Sequence, residues 1–270
     1  MKHMVLKRIR FVLFFLILSG FYSFKPQVSA DTFFGEVPTG LLELSDYKEP
    51  VFLFVPPNYK PDRSYPMIVA LPGEGESPEK HIQLWTGLAK RNSFFILVPT
   101  NIWPRDTPET VDQWILDIKK DVAERYQIAQ RHTFLVGSGD GAHYGAYLGV
   151  RYPDQFAAVA LLGGSWVGKF ETLIRPQTNP RKQVPFFVAL KENSELIEPT
   201  KKFALQLEAK GYPVYLKEVK DEKDFWSDPF KKELVEWLKE KSQDWSQHAE
   251  LSKRSLKEKM NIAIEDFFHT

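Results

Sequence analysis

The run Phe134-Leu135-Val136-Gly137-Ser138-Gly139-Asp140-Gly141-Ala142 carries the strongest chemical signal in the chain. An apolar strand enters a glycine-rich turn, and a helix-forming stretch follows. A turn that lifts a nucleophile off the end of a strand is tight and strained, and it admits only small residues two places to either side of the attacking group. Centred on Gly139, those flanks are Gly137 and Gly141, and both fit. Centred on Ser138, they are Val136 and Asp140, and neither fits. The spacing therefore places a glycine where the reacting side chain belongs. A register centred on Asp140 stays open, with Ser138 and Ala142 as small flanks, and it takes one further residue between strand and turn. Ser138 itself reads as a turn serine bonded to nearby backbone.

Short apolar runs alternate with helix-period segments along the chain, the pattern of a mainly parallel sheet with helices on both faces. Leu41 to Leu44 and Val51 to Val55 read as an antiparallel start. Met67 to Leu71 and Phe94 to Val98 are continuous apolar runs, as in strands buried on both faces. Val111, Trp114, Ile115, Ile118 and Val122 share one face of a helix over Thr110 to Ile128. The turn itself joins a strand at Thr133 to Gly137 with a helix at Gly141 to Tyr152. Strands at Ala157 to Leu162, Phe186 to Leu190 and Val214 to Val219 follow. Helices at Pro199 to Lys210, closed by Gly211, and at Pro229 to Lys239 complete the alternation.

The first 30 residues read as an export signal. Lys2, Lys7, Arg8 and Arg10 precede an apolar stretch from Phe11 to Phe24, and Val28-Ser29-Ala30 is a small-x-small cleavage site. The competing reading is an uncleaved anchor, which wants about 20 apolar residues. Cleavage leaves a soluble chain, periplasmic or secreted, with no stable membrane insertion. It removes five basic residues and no acidic one, taking the formal charge from +1 to −4. That balance gives no field to attract nucleic acid. The chain has no cysteine, which excludes disulfides, thiolate metal sites and a cysteine nucleophile. The division expected is a signal over 1–30, one α/β domain over 31–241, and a helical extension over 242–270. In the extension, Leu251, Leu256, Met260 and Ile264 form a stripe that either packs on the protein's own surface or docks a protein partner.

At this point the residues resemble the α/β-hydrolase superfamily, and in particular exported esterases similar to polyhydroxybutyrate depolymerases and feruloyl esterases. Tyr65-Pro66-Met67-Ile68-Val69-Ala70-Leu71-Pro72-Gly73 resembles the strand that leads to the oxyanion loop. Asp112 to Tyr126, with Arg131 and Phe134 to Gly137, resembles the helix and strand before the nucleophile turn. Arg151-Tyr152-Pro153-Asp154-Gln155-Phe156-Ala157-Ala158 is similar to the segment after the helix of that turn. The resemblance covers Leu41 to Lys239 and implies an α/β-hydrolase fold.

The resemblance also implies a serine nucleophile, a late histidine base, an acid that orients it, and backbone donors for an oxyanion. Gly139 stands at the nucleophile position. The base belongs in the loop Lys220 to Trp226, which has no histidine, and Tyr144 to Gln247 has none at all. His81, His132, His143 and His248 lie elsewhere. The family's acid maps onto Ser194, or onto Glu195 with a shift of one residue. The oxyanion loop keeps Gly73 but has Pro72 where many relatives have histidine. The second donor is the N–H of Asp140, whose carboxylate, with Glu74 and Glu76 in the opposite loop, opposes the stabilisation of negative charge there.

No metal site and no cofactor is expected. The histidines lack ligand spacing, and Gly-Ser-Gly-Asp-Gly-Ala completes neither the dinucleotide nor the P-loop pattern. Beside a mainly structural or assembly role carried by the C-terminal helix, two functional readings remain. One is a non-catalytic relative of an ester hydrolase, with Gly73, Gly139, Asp140, Glu195 and Asp224 as positions of a vestigial site, binding a small ester-like or carbohydrate ligand or a partner. The other is an active hydrolase with an unorthodox set, in which Asp140 or Glu195, helped by a carboxylate such as Asp224, activates water. Trp166 and Trp226 follow strands at the rim where a sugar or aromatic ligand would stack.

Overall fold

The computed structural model describes residues 37–73, 75–100, 108–163, 176, 178 and 183–242. The expected export signal, Glu74, Trp166, His248 and the stripe at Leu251 to Ile264 lie outside the described residues. Eight strands form one sheet: β1 (Gly40–Leu44), β2 (Val51–Val55), β3 (Tyr65–Leu71), β4 (Phe95–Pro99), β5 (Ile128–Ser138), β6 (Ala158–Leu162), β7 (Phe186–Lys191) and β8 (Val214–Val219). Their order is β1-β2-β4-β3-β5-β6-β7-β8. β2 runs antiparallel to β1 and β4, and the pairings from β4 through β8 are parallel. This is the mainly parallel sheet that the alternation predicts.

The helices are α1 (Pro78–Asn92), α2 (Pro108–Arg125), α3 (Asp140–Arg151), α4 (Ile197–Ala209) and α5, which runs over 228–242. Alternate residues of the central strands point to opposite faces. Met67, Val69, Leu71, Leu135 and Val188 join the core under α2, α3 and α4. Ile68, Ala70, Phe134, Val136 and Phe187 join the core under α1 and α5. Helices thus cover both faces, which is why the central strands read as unbroken apolar runs. β8 lies at the edge and is mostly part-buried or exposed. Its Lys217 pairs with Glu233 of α5 at 3.0 Å, a charge that blunts the open strand.

Several boundaries differ from the sequence reading, most clearly at the junction of the second helix and β5. The second helix stops at Arg125 rather than Ile128, because the Gln127 carbonyl accepts the Tyr65 N–H at 2.7 Å and Ile128 pairs with Tyr65 in the sheet. β5 accordingly starts five residues early. The sequence reading also assigns no helix between β3 and β4, where α1 lies. Its signals are local. Ser77 caps it by accepting the Lys80 N–H at 3.3 Å, Pro78 occupies the first turn, and Ile82, Trp85, Leu88 and Ala89 form the buried stripe.

Sheet register sets the rim on which the site is built. Leu71 pairs with Gly137, and Gly137 with Leu161, so β3, β5 and β6 end level with one another. The loops that follow them start from the same edge, where ligand sites of open α/β sheets lie.

Candidate functional site

Gly139 joins β5 directly to α3 with φ 52° and ψ −124°. This left-handed backbone is the strained conformation that side chains other than glycine rarely adopt. Its N–H donates to the Leu162 carbonyl at 2.9 Å, which ties the turn to the end of β6. The two flanking glycines are sterically compelled. A Cβ on Gly137 would lie 2.2 Å from the Gly141 carbonyl oxygen, and one on Gly141 would lie 2.2 Å from that of Leu71. A Cβ on Gly139 would meet nothing nearer than the Gly73 Cα, at 3.9 Å. The geometry centres the turn on Gly139, where a Cβ would sit in ordinary contact with Gly73.

α3 is held in place by a buried carboxylate. Asp112 of α2 is fully buried and accepts hydrogen bonds from the hydroxyls of Tyr144 at 2.5 Å, Tyr147 at 2.7 Å and Tyr152 at 3.1 Å. Arg151 adds a positive charge 3.6 Å away. Burial first, and then the bond to Asp112, hold the Tyr144 and Tyr147 hydroxyls far above their ordinary value, so they remain donors. The helix that follows the turn is thereby anchored to its neighbour.

Gly73 is buried opposite the turn, and its N–H is already engaged. It donates to Glu76 Oε2 at 3.0 Å. The same oxygen lies 3.0 Å from Nδ1 of buried His81, on α1, and 3.5 Å from the Ser138 hydroxyl. The His81 Nδ1 contact is at hydrogen-bond distance but falls short of regular hydrogen-bond geometry. On the other side of the ring, His81 Nε2 accepts from Trp85 Nε1 at 3.3 Å. Trp226 packs edge-on against both rings, at 5.5 Å from His81 and 5.4 Å from Trp85. The contact with His81 holds the Glu76 carboxyl below its ordinary 4.5. Burial works against this, and the Gly73 N–H works with it.

Of the remaining site positions of the sequence reading, Asp140 adjoins Gly139, whereas Glu195 and Asp224 lie in separate loops. Asp140 is exposed at the first position of α3, and Glu195 is exposed in the loop between β7 and α4. Ser194 accepts the Leu196 N–H at 3.2 Å. The loop after β8 forms a 3-10 helix, Glu222–Trp226. Here Asp221 accepts the Lys223 N–H at 3.3 Å, while Asp224 Oδ2 accepts the Asp221 N–H at 3.0 Å. Asp224 thus serves a reciprocal cap. Ser138 is buried at 5% exposure, with its hydroxyl turned toward Glu76. The structure brings Gly73, Gly139 and Asp140 together and adds Glu76 and His81. Sequence reasoning gave Glu76 only a general charge effect and gave His81 no role.

Beside Gly73 lies a cleft of about 420 Å³, walled by Phe52, Pro72, Pro99 and three carboxylates, Glu43, Glu49 and Glu76. Among the described residues, no group of three or more His, Cys, Asp or Glu side chains is placed to hold a metal ion. Among the same residues, no helix is long and apolar enough to cross a membrane.

Neither a family model nor a curated protein sequence matches this chain. Solved structures do. A thermostable esterase is 23% identical with a TM-score of 0.55, over 74% of this chain and 62% of its own. This chain therefore spans less than two thirds of that esterase. S-formylglutathione hydrolase from Staphylococcus aureus is 11% identical with a TM-score of 0.58, over 75% of this chain and 99% of its own. A mutant feruloyl esterase module from Clostridium thermocellum, complexed with sinapinate, is 14% identical with a TM-score of 0.56, over 75% of this chain and 91% of its own. These likenesses are of fold, and the fold they share with this chain is that of the α/β-hydrolase esterases.

Proposed function

On the premise of an α/β-hydrolase fold, we propose that this chain is a non-catalytic relative of carboxylic-ester hydrolases, one that keeps the nucleophile turn as architecture and acts by binding. The observation that carries the proposal is Gly139 at φ 52°, ψ −124°, at the centre of a turn whose Gly137 and Gly141 flanks admit no Cβ. Without a side chain there, no acyl intermediate forms. The loss of a triad member from a working enzyme lowers its rate by a thousandfold or more. The loop after β8, where the resemblance puts the base, has no histidine.

The reading with an unorthodox catalytic set draws less support. Its helper Asp224 is engaged by the backbone of Asp221, and Glu195 is a solvated surface carboxylate. The proposed ligand is small, ester-like or a carbohydrate, bound at the rim around Gly73. The proposed setting is the periplasm or the extracellular medium, and the segment 242–270 is the proposed contact for a protein partner.

The test is hydrolysis of short acyl esters by the purified chain lacking residues 1–30, beside its Gly139→Ser, Ser138→Ala and Asp140→Asn variants. The proposal expects all four at the uncatalysed background. Turnover by the unmodified chain that is lost in Asp140→Asn would instead establish the unorthodox set.

A further inference from the structure

The loop donor of the former oxyanion site is not vacant. Its N–H points at a carboxylate oxygen of the same chain, at the distance of a good hydrogen bond, 3.0 Å between Gly73 N and Glu76 Oε2. We propose that Glu76 is a tethered ligand of this anion site, positioned by His81, and that it closes the site both to ester carbonyls and to free carboxylates. The inference rests on reading the site as non-catalytic and says what occupies it.

Three features support it. First, the contact is anchored from behind. His81 is buried, its Nε2 is fixed by Trp85, and its Nδ1 faces Glu76, so the carboxylate is aimed from the helix that follows it. Second, a carboxylate is the anion such a donor prefers, because a charged acceptor makes roughly twice as strong a hydrogen bond as a neutral carbonyl. An incoming ester oxygen would have to displace it. Third, the approach is guarded by charge. Glu43 of β1 and Glu49 of the β1–β2 loop line the same cleft, and among the described residues no lysine, arginine or histidine lines it. An external anion meets repulsion before it meets the Gly73 N–H. Such a site would bind an acid only after Glu76 is removed.

The test follows the Gly73 amide by proton–nitrogen NMR during titration with acetate, in the unmodified protein and in Glu76→Ala. In the unmodified protein the proton should resonate downfield, as for a charge-assisted bond, and stay put as acetate is added. In Glu76→Ala it should move upfield, then return downfield saturably, with acetate bound at least tenfold more tightly than by the unmodified protein. A Gly73 signal that Glu76→Ala leaves in place, or a folded variant whose signal ignores acetate, overturns the proposal. Lowering the pH of the unmodified protein provides a second measurement that needs no variant. Among the described residues, His81 contacts Glu76 and Glu43 and Glu49 share its cleft, and the Gly73 shift should follow a carboxyl that titrates below 4.5. A flat profile there also overturns it. Ester turnover recorded on the same samples keeps the two readings separate. Turnover by the unmodified protein contradicts the non-catalytic reading, whereas an unresponsive Gly73 contradicts only the tethered ligand.

Discussion

Gly137 and Gly141 face each other so closely that a methyl on the first would lie 2.2 Å from the carbonyl oxygen of the second. The obstacle is backbone on both sides, so no rotamer relieves it. Gly137→Ala and Gly141→Ala should each cost several kcal/mol, on the order of 3 or more, or abolish folding. Gly139→Ser meets no such wall and carries only the cost of a left-handed backbone, about 1 kcal/mol. Urea unfolding of the three variants checks this ordering. Equal losses would mean that the turn is not packed as described.

Asp112 gathers three tyrosine hydroxyls in a buried site. Removing it takes the acceptor from the buried Tyr144 hydroxyl and from two further tyrosines. Asp112→Ala should destabilise the protein by roughly 3 to 5 kcal/mol, and Tyr144→Phe by about 1 kcal/mol. Thermal denaturation of both variants measures the difference. A loss under about 1 kcal/mol for Asp112→Ala would show the network to be ornamental.

Lys119 donates to the Gln155 carbonyl and side chain at 3.1 Å, and burial pushes its ammonium down to about 8, with Asp154 opposing the shift. Its folded value lies below its unfolded one, so the folded state binds fewer protons between the two. The cost of burying the charge is present in full below pH 8 and is relieved as pH rises toward 10.5. Relative to Lys119→Met, the unmodified protein should gain on the order of 2 kcal/mol between pH 7.5 and pH 10. A difference that stays constant across that range would contradict the assignment.

Glu76 works in the opposite sense. Its carboxyl is held below 4.5 in the folded state, so what it contributes is present above that value and lost as pH falls through the depressed one. The side chain is nearly half exposed, at 45%, and solvent screening keeps the contribution small, below about 1 kcal/mol. The stability gap to Glu76→Gln should be level from pH 5 to 7 and shrink below pH 4.5. A gap that widens on acidification would reverse the sign of the effect.

The sheet and the turn were legible in the sequence for a local reason. Gly137 is required by a clash across four residues, with the Gly141 carbonyl, and the continuous apolar runs of β3 and β4 follow from burial on both faces. The engagement of Gly73 was not legible in the same way. It depends on the path of a short loop, on a helix start at Ser77-Pro78, and on a histidine aimed through Trp85. The helix had readable signals in its capping serine and in the spacing of Ile82, Trp85 and Leu88. Once it is placed, Glu76 precedes its first turn and His81 lies inside it. Asp224 was equally ambiguous as a sequence letter, because an acid three residues after Asp221 can serve a cap as well as a reaction.

On the proposed reading, the nucleophile turn persists without its chemistry. The most direct test of that reading is steady-state hydrolysis of a short acyl ester by Gly139→Ser, measured beside the unmodified chain and against buffer alone. The turn has room for the serine side chain, and the loop after β8 supplies no histidine to take its proton. Both proteins should therefore match the uncatalysed rate. Turnover by Gly139→Ser a hundredfold or more above background would mean that a base stands ready at the turn, and the account would be wrong.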